Sequence, residues 1–73
     1  MKHHRFAICI DNSEYPASLE KRKIYEVLGE EDASGNTMLR IIDESGDDYL
    51  YPSSLFVDAQ LKQSVEDAVV KAA

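Results

Sequence analysis

The stretch DESGDDYLYP, residues 43–52, decides how this chain is read. Four carboxylates, Asp43, Glu44, Asp47 and Asp48, surround a Ser-Gly pair, with TMLRII before them and YLYP after. Apolar and aromatic runs on both sides of such a turn mark a β-hairpin. With Ser45 and Gly46 as a two-residue loop, Ile42 faces Tyr49 and Ile41 faces Leu50, both favourable cross-strand pairs. The same register opposes Glu44 to Asp47 and Asp43 to Asp48. Carboxylates about 5–6 Å apart in water repel by only about 0.7 kcal/mol, so the tip is expected to stand solvated without a cation. Its spacing also departs from a calcium loop, which alternates oxygen ligands and ends on a distal glutamate. Weak divalent-cation binding at this acidic hairpin is an alternative reading.

Outward from the hairpin, residues 37–43 form a strand that is apolar on both faces except at Arg40, the pattern of a central strand. Before it, KIYEVL (23–28) puts Tyr25 and Val27 on one face, with Tyr25 expected inside. Gly29 is expected to end that strand, and EEDASGN to form a polar connection with Gly35 at positive φ. The first strand spans 5–10, where Phe6, Ile8 and Ile10 share a face. Between the first two strands, DNSEYPASLE reads as a long loop rich in turn formers. After the hairpin, Pro52 fixes φ, and Ser53 and Ser54 offer hydroxyls for the backbone donors of one helical turn. Phe56 and Val57 then close with a short strand. In the C-terminal stretch Leu61, Val65, Ala68, Val69 and Ala72 fall on one helical stripe, and Ser64 with Asp67 resembles a capping pair.

At 73 residues there is room for one domain, residues 1–73, and a chain of this length buries only about 60% of its unfolded surface. The expected division is a five-stranded unit over about 5–58 and a short helix over about 62–72. With 44% hydrophobic and 30% charged residues, the chain is expected to fold. The formal net charge of −6 argues against a broad nucleic-acid surface. Two basic stretches, MKHHR at the start and KRK at 21–23, are expected to be solvated. The single Cys9 has no disulfide partner within the chain and sits in the run FAICI, as a small buried hydrophobe does. Neither a signal peptide nor an apolar span of about 18 residues is present, so a cytoplasmic location without a membrane is expected.

The pattern PSSLFV (52–57), after a long first loop and a meander of strands, is similar to the ending of SH3 domains. More closely, KIYEVL followed by RIIDESGDDYLYPSSLF resembles a group of short prokaryotic proteins with an SH3-like barrel, over about residues 7–57. The resemblance implies a fold: mainly β, a small five-stranded SH3-like barrel with a one-turn helix before the last strand and a short C-terminal α-helix. True SH3 domains seat proline-rich ligands in an aromatic groove that includes a tryptophan. This chain has no Trp, so the resemblance implies at most a shortened groove.

For function, Ser13, Ser18, Ser53 and Ser54 have no histidine partner beyond His3 and His4, and no Gly-rich phosphate cradle appears. A barrel this small also lacks room for a concave site that separates two carboxylate pKa values. No catalytic residue, metal ligand or cofactor is therefore assigned. The expected role is a non-catalytic protein–protein interaction module, with Tyr15, Pro16, Tyr49, Tyr51, Pro52 and Phe56 as its binding residues. Of Tyr49 and Tyr51, one is expected inside and the other outside beside Pro52. The exposed one joins Tyr15 and Phe56 in an aromatic patch, rimmed by acidic groups, that suits a basic protein partner. The alternative is an accessory nucleic-acid or ribosome-associated protein, by fold analogy alone. A homodimer through an edge strand or the terminal helix is a third, structural option.

Overall fold

The computed structural model describes residues 5–60 together with Val65, Ala68 and Val69. Residues 1–4 of the basic stretch MKHHR and the expected helix over 62–72, Val65, Ala68 and Val69 apart, lie outside the described residues. Five antiparallel strands follow in order: β1 Arg5–Cys9, β2 Ile24–Ala33, β3 Asn36–Ile42, β4 Asp48–Pro52 and β5 Phe56–Ala59. A 3-10 turn, Ser53–Leu55, separates the last two. They form one sheet in the order β4-β3-β2-β1-β5.

Flat, that order would put β4 and β5 four strand spacings apart, roughly 19 Å. The chain from Pro52 to Phe56 reaches at most about 14 Å, so the short turn forces the sheet to curl over its own inner face. Closure stops there: β4 and β5 share no ladder, and the expected barrel is an open curled sheet. Nor do serine hydroxyls cap the turn as expected; the Phe56 N–H bonds back to the Ser53 carbonyl instead.

The core fills the concave side. Tyr25 and Val27 of β2, Leu39 and Ile41 of β3, Tyr51 and Phe56 all turn inward, as does the free thiol of Cys9. On β1 the inward residues are Ala7 and Cys9, both fully buried; Phe6, Ile8 and Ile10 share the opposite face. Small side chains fit there because three aromatic rings occupy the volume: Tyr25 and Tyr51 each meet Phe56 edge-on at 6.4 Å. Leu19, in the middle of the long first loop, is also fully buried. That loop is therefore pinned to the core.

Two turns differ from the expected ones. Gly29 does not end β2: the register shifts between Val27 and Gly29, leaving an exposed bulge at Leu28, and the strand continues to Ala33. The connection to β3 is then only Ser34 and Gly35, at φ 51° and 79°, the backbone of a type I′ turn. In the acidic hairpin Ile42 pairs with Asp48, Ile41 with Tyr49 and Leu39 with Tyr51, one residue away from the expected register. Its loop has three residues, 44–46. The Gly46 N–H donates to the Asp43 carbonyl at 3.0 Å, the Asp43 N–H donates to the Asp47 carbonyl at 3.1 Å, and Gly46 takes φ 86°. Such a loop ends on a positive-φ residue, the place glycine fills at least cost.

Two arginines bind neighbouring strands, Arg5 from the face it shares with Ala7 and Val27, and Arg40 from the outer face. Arg5 on β1 reaches Glu30 of β2 at 2.6 Å and Asp58 of β5 at 3.1 Å. Arg40 on β3 reaches Glu31 of β2 at 2.8 Å and Asp48 of β4 at 3.0 Å. All are solvent-accessible pairs, so they guide strand order more than they stabilise it.

Two stability tests follow from this architecture. Replacing Ser34 with Gly, which adopts positive φ without steric cost, should raise the unfolding free energy by about 0.5–1 kcal/mol in urea denaturation. Leu19→Ala should lower it by about 2–5 kcal/mol, as expected for a leucine truncated inside a core; a loss no larger than that of a surface substitution would mean the loop is not pinned there.

Candidate binding surface

The hairpin register determines where each candidate side chain goes. Because Leu39 and Tyr51 are directly paired, Tyr51 shares the core face and is only 4% exposed. Tyr49 lies two residues earlier, on the same side of β4 and roughly 7 Å along the strand. It sits opposite the buried Ile41 but on the edge strand, and is 53% exposed. One tyrosine is thus inside and one outside, as expected, but position along the strand separates them rather than opposite faces. Phe56 is buried beneath Tyr51. Tyr15, half-buried, leans edge-on against Tyr51 with ring centroids 5.0 Å apart. Pro16 is exposed and Pro52 half-buried.

Of the six candidates, then, Tyr15, Tyr51 and Phe56 form one ring-contact series, of which only Tyr15 reaches the surface. Tyr49 and Pro16 are the exposed members. The loop carrying Tyr15 and Pro16 is braced from within: Tyr15 accepts at its carbonyl from the Ser18 and Leu19 N–H groups, at 3.2 and 3.0 Å, and the Asn12 amide donates to the Leu19 carbonyl at 3.0 Å.

Beneath this surface lies a hydroxyl–carboxylate network that the sequence reading missed. Asp43 was expected to stand in water; it is 6% exposed. One carboxylate oxygen accepts from the Ser45 hydroxyl at 2.5 Å and the Ser45 N–H at 2.9 Å, and the other accepts from the Tyr51 hydroxyl at 2.6 Å. Burial pushes the Asp43 pKa up, but the Ser45 and Tyr51 hydrogen bonds outweigh it and hold the group below its ordinary 3.8. Tyr51 is shifted the other way: burial and the adjacent carboxylate raise its pKa.

Glu44 forms the second half. It accepts from the Lys23 ammonium at 2.6 and 2.8 Å and from the Tyr25 hydroxyl at 2.5 Å. The Tyr25 hydroxyl in turn accepts from the Glu20 N–H at 2.6 Å. The Lys23 ammonium also lies 5.7 Å from the centroid of the Tyr25 ring. The bonds from Lys23 and Tyr25 lower the Glu44 pKa below 4.5, while burial and Glu44 raise that of Tyr25. KRK is thereby split: Lys23 turns to the network, and Lys21 and Arg22 stay exposed. A sequence signal for part of this did exist, since Asp followed two residues later by Ser is the pattern of a side-chain-capped turn.

Among the described residues, no group of three or more His, Cys, Asp or Glu side chains is disposed to hold a metal ion. No family model, curated protein or solved structure matches this chain.

Asp43 and Glu44 both have folded pKa values below their unfolded ones, so their stabilisation is complete above about pH 4.5 and is lost as pH falls through the lowered values. Urea midpoints should therefore drop on acidification below about pH 4. Asp43→Asn should cost about 1–3 kcal/mol at pH 7 and show a shallower acid limb, since it has no charge there to lose. An equally steep limb in the variant would assign the acid sensitivity elsewhere.

Proposed function

We propose that this chain is a small non-catalytic interaction module of SH3-like build that presents Tyr15 and Tyr49 to a basic segment of a partner protein. The observation that carries the reading is the tyrosine series itself: a half-buried Tyr15 seated on buried Tyr51, with exposed Tyr49 one strand repeat away. Large aromatic rings held by a rigid base lose little entropy when a partner covers them. Glu14 beside Tyr15, and Asp47 before Tyr49, supply negative charge next to the rings, and the chain as a whole carries −6. The meander order with a long first loop and a 3-10 turn before the last strand supports the SH3-like part of the proposal. A cytoplasmic setting belongs to the same reading, in keeping with the reduced, buried Cys9. Among the described residues no helix is long and apolar enough to cross a membrane.

The nucleic-acid alternative is weaker on this geometry, because Lys23 is committed to Glu44 and the exposed basic pair Lys21–Arg22 sits on an acidic domain. The test is affinity capture from the native cell with the natural chain and with a Tyr15→Ser, Tyr49→Ser double variant. A basic protein should co-purify with the first, be released by added salt, and bind the second at least about tenfold more weakly. Tyr51 is kept intact because its removal would disturb the core. Unchanged capture by a folded double variant would refute the proposed surface.

A further inference from the structure

The long first loop and the acidic hairpin tip belong to different parts of the sequence, yet they are joined at three points. The Glu44 N–H donates to the Ser18 carbonyl at 3.0 Å. The Glu20 N–H donates to the Tyr25 hydroxyl, which is held by the Glu44 carboxylate. The Tyr15 ring leans edge-on against the Tyr51 ring, with centroids 5.0 Å apart, and the Tyr51 hydroxyl is held by the Asp43 carboxylate. At its two ends the loop is also fixed by backbone bonds: the Ile10 N–H to the Leu55 carbonyl at 2.8 Å and the Arg22 N–H to the Cys9 carbonyl at 2.7 Å.

We propose that these contacts form a latch, in which the two tyrosine–carboxylate bonds hold the first loop against the hairpin tip. Loss of either negative charge releases the loop as a unit while the five-stranded sheet stays paired. The ends at Ile10 and Arg22 act as hinges, and the contacts that still resist opening are the buried Leu19 side chain, the Tyr15–Tyr51 ring contact and the Glu44 N–H bond to the Ser18 carbonyl. Because Tyr15 rides on the loop, its seat on Tyr51 exists only while the latch is closed.

The charged and titratable groups around the latch set the direction of its response. Glu44 faces Lys23 and Tyr25, with Glu20 3.8 Å from the same ammonium. Asp43 faces Tyr51, with Glu44 as its acidic neighbour. Glu26 lines the same cleft of about 540 Å³ as Lys23, Asp43 and Glu44. Neutralising a carboxylate frees the tyrosine hydroxyl it fixed and, at Glu44, the Lys23 ammonium as well. Both changes loosen the loop. Acid acts in the same direction, because it protonates the two groups whose charged forms are bound in the folded state.

Residue-resolved amide hydrogen exchange tests this without any partner, so it is independent of the proposed binding function. In Glu44→Gln at neutral pH, the amides of Leu19, Glu20 and residue 44 should exchange at least about tenfold faster than in the natural chain, with the ladder amides of β2 and β3 unchanged. Acceleration confined to residue 44, or equal acceleration of the ladder amides, would overturn the latch. The natural chain titrated from pH 6 towards pH 3 provides a second measurement should the variant fail to fold. Loop resonances should shift together in a step below about pH 4.5 while ladder resonances hold; a single step shared by loop and ladder would refute the proposal.

Discussion

A carboxylate buried without compensation would unfold a domain this small, and the structure turns on how Asp43 escapes that cost. Its oxygens are claimed by the Ser45 hydroxyl and N–H and by the Tyr51 hydroxyl, and a charged acceptor with several donors stabilises more than a neutral one does. The arrangement needs the three-residue loop, because that register puts Asp43 and Tyr51 on the same inner face of the β3–β4 hairpin. A two-residue loop would have paired Ile41 with Leu50 and turned Tyr51 toward solvent. One polar interaction therefore selects the register that fills the core.

From there the constraints propagate by packing. Tyr51 inside brings its ring onto Phe56, and Phe56 reaches Tyr25 on the far side of the concavity. These rings leave space only for Ala7 and Cys9 on β1, which explains why the larger residues of that strand point the other way. The three-residue link between β4 and β5 pulls the sheet into a curl whose mouth is covered by the first loop, with Leu19 as its plug. An open curled sheet of this kind has two unjoined edges, and charged pairs reach both edge strands, Arg5 with Asp58 of β5 and Arg40 with Asp48 of β4, a common protection against unwanted pairing.

The acidity of the chain also takes on local meaning. Of the four hairpin carboxylates, Asp43 is satisfied by hydroxyls, Glu44 by Lys23 and Tyr25, and Asp48 by Arg40, while Asp47 is exposed at the tip. The cluster that looks in sequence like a cation site is largely consumed by internal bonds. What it leaves outside, next to Tyr15 and Tyr49, is a modest negative rim.

Alternation and turn chemistry, which are local, were enough to place the strands, the 3-10 turn after Pro52, the hairpin at Ser45–Gly46 and the inward face of Tyr25, while the burial of Cys9 followed from its apolar run FAICI. They did not settle the bulge at Leu28, the tight turn at Ser34–Gly35, the register of the acidic hairpin or the burial of Leu19 and Asp43. Each of those depends on which distant groups arrive to fill a volume or donate a hydrogen bond, and a single chain position carries no record of them. The candidate site divides the same way: the aromatic residues were visible as types, but only the register decided that Tyr51 and Phe56 support the surface from below while Tyr15 and Tyr49 form it.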